Sequence, residues 1–228
     1  MEKKLDGIVI FSKDYMENDK LITILTQEGI LSCKLIGCKK NNARYKSASQ
    51  IFFFAEFILT KNNSLFYTIT NVSSKDSFMQ ITENYASFLV ASEICKLVNK
   101  TKCSDDLYET IFLYVLKSFY SLKLYPLKSK IIYQKFYLNF LSLLGYSLNV
   151  EQCSDCGLIF KQNEKIFFNP DNNCFSCNFH RMPYSKELTN NSYIKALKKN
   201  KLESLLNNEY NKQFIDELDI ILKSIEIN

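Results

Sequence analysis

The chain has 228 residues, with 29 Lys and Arg against 24 Asp and Glu for a formal net charge of +5, and is 46% hydrophobic. That length holds one large domain or two small ones, and the apolar share is ordinary for a globular fold. No stretch approaches the ~18–20 consecutive apolar residues of a membrane span, and the charged start Met1-Glu2-Lys3-Lys4-Leu5-Asp6 has no hydrophobic run behind it, so a cytoplasmic protein is expected.

Residues 1–77 read as β. Apolar segments rich in β-branched and aromatic residues occur at Leu5–Phe11, Leu21–Leu25, Ile30–Ile36, Ile51–Leu59 and Leu65–Val72, each of strand length. Gln27-Glu28-Gly29 joins the second to the third, and Lys61-Asn62-Asn63-Ser64 is a hairpin turn between the last two. Five short strands in one small domain predict a barrel, with a five-stranded OB-fold first and an SH3-like barrel as the other fit.

After Asp76 the period changes. Phe78, Ile81, Tyr85, Phe88, Leu89 and Cys95 recur at three- and four-residue steps, as on one face of a helix. A second helix is expected from Ser104, its cap, to Leu122, with Asp105, Asp106 and Glu109 at its positive end. A third follows Pro126 and stops at Gly145. A module over residues 151–182 interrupts this helical domain, with a short strand at Lys165–Phe168 and a turn at Asn169–Asn173. Helices at Ser185–Lys199 and Asn211–Ile225 complete the chain. The expected organisation is α+β: a barrel domain at 1–77, then a helical domain at 78–228 carrying the 151–182 insert. Tyr114, Phe119, Tyr120, Tyr133, Phe136 and Tyr137 sit at helical spacing and read as core rather than as stacking platforms.

The module holds the most specific chemistry. Cys153-Ser-Asp-Cys156 and Cys174-Phe-Ser-Cys177 are C-x-x-C pairs separated by the seventeen residues Gly157–Asn173, the spacing of a four-thiolate zinc site. Two residues between thiolates let a tight turn aim both sulfurs at one ion, and two such turns complete a tetrahedron. Four thiolates leave no position for water, so one structural Zn²⁺ per chain is expected, held by Cys153, Cys156, Cys174 and Cys177. Reduced thiols packed as small hydrophobes are the bland alternative. A redox C-x-x-C would want a thioredoxin-like βαβ frame, and disulfides an oxidising compartment. Cys33, Cys38, Cys95 and Cys103 show no pairing pattern. His180, the one histidine, follows Cys177 by three residues and could stand in for a cysteine; with the quartet complete, a solvated or hydrogen-bonded surface histidine is its expected role.

Catalytic constellations do not occur. There is no G-x-S-x-G elbow, P-loop or H-E-x-x-H, and a zinc deaminase would need H-x-E with P-C-x-x-C. With one histidine and a filled metal site, acid–base chemistry has few candidates, and a binding protein is expected rather than an enzyme. Charge is concentrated instead: Lys34, Lys39, Lys40, Arg44 and Lys46 occur with no acid between Lys34 and Ala55. Such a patch can neutralise phosphates; a solvated loop is the alternative.

These parts, in this order, resemble the bacterial recombination mediator family RecO over nearly the whole chain. Gly7-Ile8-Val9-Ile10 opens the first strand, and Asp14-Tyr15-x-Glu17-x-Asp19-Lys20-Leu21 looks like the family's D-Y-x-E-x-D-[RK]-[IL]. Leu25-Thr26 leads to Gly29, and Gly37-Cys38-Lys39-Lys40 is similar to its K-G-A-[RK]-[RK]. Cys153 to Gly157 matches the C-x-x-C-G of zinc-bearing members. The family's lysine before the glycine is Ile36 here; Lys34, two residues earlier on the same strand face, is placed to replace it.

The resemblance implies an OB-fold that binds single- and double-stranded DNA through Lys34, Lys39, Lys40, Arg44 and Lys46. It implies annealing of complementary strands and help in loading the RecA recombinase onto single strands coated with single-stranded DNA-binding protein. Its implied partners are RecR and the acidic tail of that coating protein, in a cytoplasmic, nucleoid-associated setting. Lys195, Lys198 and Lys199 beside Tyr193 and Leu197 are one candidate tail site, against the ordinary reading of a solvated helix face. The competing class is a zinc-ribbon adaptor in transcription or translation.

Overall fold

The computed structural model describes residues 2–61 and 64–225. Packing divides the chain into two units, Met1–Leu127 and Lys128–Asn228.

Five strands build the first unit: β1 (Glu2–Tyr15), β2 (Asp19–Thr26), β3 (Gly29–Leu35), β4 (Phe54–Thr60) and β5 (Tyr67–Asp76). They close into a barrel in the order β1-β2-β3-β5-β4. β1 pairs antiparallel with both β2 and β4, and β3 runs parallel to β5. This is the five-stranded barrel expected of an OB-fold. Alternate residues fill its interior, among them Val9, Ile22, Ile24, Cys33, Leu35, Phe57, Leu59 and Ile69. At Gly7 the strands approach so closely that a Cβ would lie 2.2 Å from Ile24 Cγ2.

β1 is longer than its apolar pattern indicated because a bulge between Val9 and Phe11 shifts the pattern mid-strand. Residues 51–53 are not strand. Phe52 has a left-handed backbone (φ 73°) and its N–H donates to Val9 O at 2.7 Å, opposite the bulge. The turn expected at Lys61–Ser64 includes residues 62 and 63, which lie outside the described residues.

The outer face of the barrel is divided. Ile8, Ile10 and Leu25 point outward yet are buried, because helices α1 (Met79–Glu83), α2 (Tyr85–Lys100) and α3 (Tyr108–Leu124) cover that half, with α2 against β1 and α3 against β2. Phe52 sits edge-on to Phe88 and Phe119 at 5.9 and 5.3 Å, and Phe54 to Phe112 at 6.1 Å. Each such pair adds about 0.5–1.5 kcal/mol beyond area burial.

One expected helix is two. Asn84 breaks it and caps α2, its side chain accepting from Ser87 N at 3.0 Å. Ser104 makes no side-chain cap; a 3-10 turn over Asp105–Leu107 precedes α3 instead.

The second unit opens with α4 (Ser129–Leu143). Gly145 ends it at φ +88°, with Gly145 N donating to Ser142 O and Tyr146 N to Leu141 O, the paired bonds of a Schellman stop. A three-stranded sheet in the order β7-β6-β8 follows, from β6 (Ile166–Asn169), β7 (Cys174–Ser176) and β8 (Lys186–Leu188). Helices α5 (Ser192–Lys199), α6 (Leu202–Leu206) and α7 (Lys212–Leu222) complete the unit. The expected helix at Ser185–Lys199 therefore gives up its first turn to β8, which pairs with β6. Buried Gln134 ties the helices together, donating to Ile215 O at 2.7 Å and accepting from Tyr193 Oη at 2.7 Å. Lys135 Nζ donates to Leu197 O at 2.7 Å, a cation at the negative end of α5.

Candidate metal centre and nucleic-acid interface

Two turns converge in the second unit. In the first, Cys153 N donates to Leu158 O at 2.8 Å and Gly157 N returns to Cys153 O at 3.0 Å; Gly157 closes it at φ +71°, where a side chain would be strained. In the second, His180 N donates to Cys177 O at 3.1 Å. The Sγ atoms of Cys153, Cys156 and Cys177 and a ring nitrogen of His180 all lie within 4.8 Å of one another. Cys156 Sγ is 3.9 Å from Cys177 Sγ, and His180 Nδ1 is 3.3 Å from Cys177 Sγ and 4.0 Å from Cys153 Sγ.

Cys174 is not in this group, and this departs from the expected quartet. It opens β7, and a strand rises about 3.3 Å per residue, so the extended backbone carries Cys174 away from Cys177 instead of turning both sulfurs to one point. The second turn is Cys177-Asn-Phe-His180, a C-x-x-H. The donor set fits a metal. Tetrahedral corners at 2.3 Å bonds are about 3.8 Å apart, close to the separations seen, and three thiols with one imidazole are soft and borderline donors.

The surroundings favour thiolate at Cys153. Burial works to raise the Cys153 thiol, but N–H groups from Cys177, Cys156 and Asp155 and the Cys156 side chain outweigh it and bring the thiol down to about 7. One of these bonds is direct, Cys177 N to Cys153 Sγ at 3.3 Å. Asp155 accepts from the hydroxyls of Ser176 and Ser154, each at 3.0 Å, latching β7 to the first turn. Cys33 behaves oppositely: burial alone pushes it up to about 12.

The basic residues lie in the first unit. Lys39, Lys40, Arg44 and Lys46 are all exposed on the connection between β3 and β4. That connection is pinned along its length. Gly37, at φ +68°, donates its N–H to Asp19 Oδ1 at 2.8 Å, and Lys39 N donates to Asn18 O at 3.0 Å. Cys38 and Ala48 are buried, and Tyr45 Oη donates to Asn71 Oδ1 at 2.6 Å. Held at these points, the loop presents its cations outward. Lys39 Nζ pairs with Asp14 Oδ2 at 3.0 Å, an exposed bridge of little energy. Arg44 lies over the Tyr45 ring at 5.2 Å. Lys34 stands apart on the outer face of β3, its Nζ 5.2 Å from the Tyr15 ring and 5.4 Å from the Phe66 ring. Ile36, where the resemblance has lysine, is exposed.

The α5 lysines are largely committed within the chain. Lys195 Nζ donates to Phe160 O at 3.1 Å and pairs with Glu151 at 3.1 Å. Lys198 donates to Leu148 O, and burial lowers its pKa. Tyr193 is buried. Among the described residues no helix is long and apolar enough to cross a membrane.

Comparison with known proteins gives two family matches. Residues 1–78 match the model described as recombination protein O N terminal, and residues 82–225 that of recombination protein O C terminal. Similar curated proteins include the DNA repair protein RecO of Clostridium novyi, 30% identical over 155 residues, which is 68% of this chain and 60% of that protein. That of Clostridium acetobutylicum is 29% identical over 154 residues, 67% of this chain and 62% of that protein. That of Bacillus pumilus is 28% identical over 188 residues, 80% of this chain and 72% of that protein. The match thus spans about three fifths of the length of the two clostridial relatives.

Proposed function

The chain belongs to the RecO family, and from that premise we propose that it is a DNA-binding recombination mediator in DNA repair. On this reading it binds single- and double-stranded DNA, anneals complementary strands and assists RecA loading on single strands coated with single-stranded DNA-binding protein. RecR and the tail of that coating protein are its partners. The observation that carries the reading is the acid-free loop of Lys39, Lys40, Arg44 and Lys46, exposed on a barrel that pins it at several points.

The physics suits the task. Phosphate contacts carry no sequence information, as a protein acting anywhere on a chromosome requires. A fixed cationic loop screens the repulsion between two strands and leaves base edges free to pair. No bond is made or broken, and the reading assigns no catalytic residue. The metal is read as structural Zn²⁺, one per chain, with Cys153, Cys156, Cys177 and His180 as its ligands. Four protein ligands leave no open position, so the ion supplies rigidity to the 151–182 segment.

The test is affinity for single-stranded DNA against salt, for wild type and for the quadruple alanine variant at Lys39, Lys40, Arg44 and Lys46. The slope of log affinity should flatten by roughly 0.7 per lost phosphate contact. An unchanged slope sinks the assignment of these residues. Accelerated strand annealing in the presence of single-stranded DNA-binding protein separates this reading from an adaptor that grips only protein.

A further inference from the structure

The uncovered half of the barrel's outer face carries an aromatic pair that the basic loop does not explain. The bulge in β1 sets its far end so that Lys13 and Tyr15 face outward, with Leu21 of β2 and Lys34 of β3 beside them in register. Phe66 enters from the β4–β5 connection, just ahead of the Lys34 pairing with Thr68. Tyr15 adjoins the β1–β2 turn. In OB-folds the face of strands 2 and 3, with the loops joining strands 1–2 and 4–5, is where oligonucleotides lie.

These two rings differ from the phenylalanines that fill or face the covered parts of the barrel. Phe52, Phe53, Phe54 and Phe57 are buried, whereas Tyr15 and Phe66 are only half-buried. Among the described residues neither stacks on another ring; Lys34 Nζ is the cation over both. Lys34 has no carboxylate partner among the described residues, whereas Lys39 has Asp14. An unpaired ammonium between two accessible rings is suited to a ligand that has a flat π face and a negative charge together.

We propose that Tyr15 and Phe66 form a base-stacking subsite for single-stranded nucleic acid, with Lys34 taking the phosphate between stacked bases. The inference rests on the DNA-binding reading and adds residues to it. The rings hold bases of any sequence because every base has a π face. Lys34, on a flexible four-carbon stem, swings from the rings to the phosphate as bases enter. Duplex DNA, whose bases are already stacked, gains nothing here.

The experiment compares oligodeoxythymidine with an abasic oligomer of the same length and charge. Wild type should bind the base-bearing strand more tightly. Tyr15→Leu and Phe66→Leu, which keep apolar bulk, should each lose roughly tenfold on that strand, with the abasic affinity and salt slope unchanged. Tyr15→Phe and Phe66→Tyr, which keep the ring, should bind as wild type does. Equal binding of the two strands by wild type overturns the subsite and leaves the basic loop standing. Equal losses on both strands in the leucine variants also overturn it. If wild type binds neither strand, the DNA reading itself fails.

Discussion

A methyl group at Gly7 would meet Ile24 Cγ2 at 2.2 Å and Phe57 Cδ2 at 3.3 Å inside the closed barrel. Neither neighbour is the free end of a long side chain, so strand or rotamer must move. Gly7→Ala should therefore cost about 1–3 kcal/mol, read as a lower urea midpoint at unchanged slope; a wild-type midpoint would show that β2 shifts freely. The thiols show how position decides chemistry for one residue type. Cys33 points into the barrel and is pushed up to about 12, while Cys153 gathers N–H donors and falls to about 7. Of these two, Cys153 is the one ready to be a thiolate ligand. Cys174→Ser should then keep one zinc per chain in elemental analysis, because Cys174 lies outside the ligand group. His180→Ala should lose the ion to a chelator that wild type resists, and cobalt in the wild-type site should give the spectrum of three thiolates and one imidazole. A zinc-free Cys174→Ser variant with a zinc-loaded His180→Ala would restore the four-cysteine set.

Caps and registers decide where elements begin, and they were only partly legible. Asn84 lies inside a run whose apolar period continues past it, so periodicity reads one helix; the side-chain bond to Ser87 N makes two. Asn84→Ala removes that acceptor and should cost about 1 kcal/mol, measured by chemical denaturation, with an effect under about 0.3 kcal/mol counting against the cap. The barrel strands were legible because inward and outward residues alternate between water and core. The far end of β1 was not, since the bulge flips the alternation after Val9 and hides Tyr15 among polar neighbours. β8 was invisible: Lys186-Glu187-Leu188 has no strand composition and pairs because β6 needs partners for its own backbone groups. The metal turn was half legible. Cys153 and Cys156 form the expected pair and Cys177 joins them, while Cys174 lies outside the group that the turns bring together. His180, at the third position after Cys177, takes the fourth place in that group, beside a turn that closes on itself.

The chain packs as two units, and the two candidate sites fall in different ones: the basic loop in Met1–Leu127, the Cys/His group in Lys128–Asn228. Each unit has its own apolar interior, the barrel core in one and Phe136, Phe140, Phe168, Phe175 and Leu218 in the other. Among the described residues no bond that fixes the basic loop involves the Cys/His group; Asp19, Asn18 and Asn71 hold it from within its own unit. Metal binding to a structural site is folding free energy, so removing it should act where the ligands are. Under a strong chelator, amides of residues 153–160 and 177–182 should lose protection from hydrogen exchange by roughly tenfold or more, while β1–β5 keep theirs. Affinity for single-stranded DNA should change by less than about twofold, since contacts that share no partners act independently. Loss of DNA binding in step with loss of metal would mean that the two units are energetically coupled, and would move the metal from local brace to part of the DNA-binding apparatus.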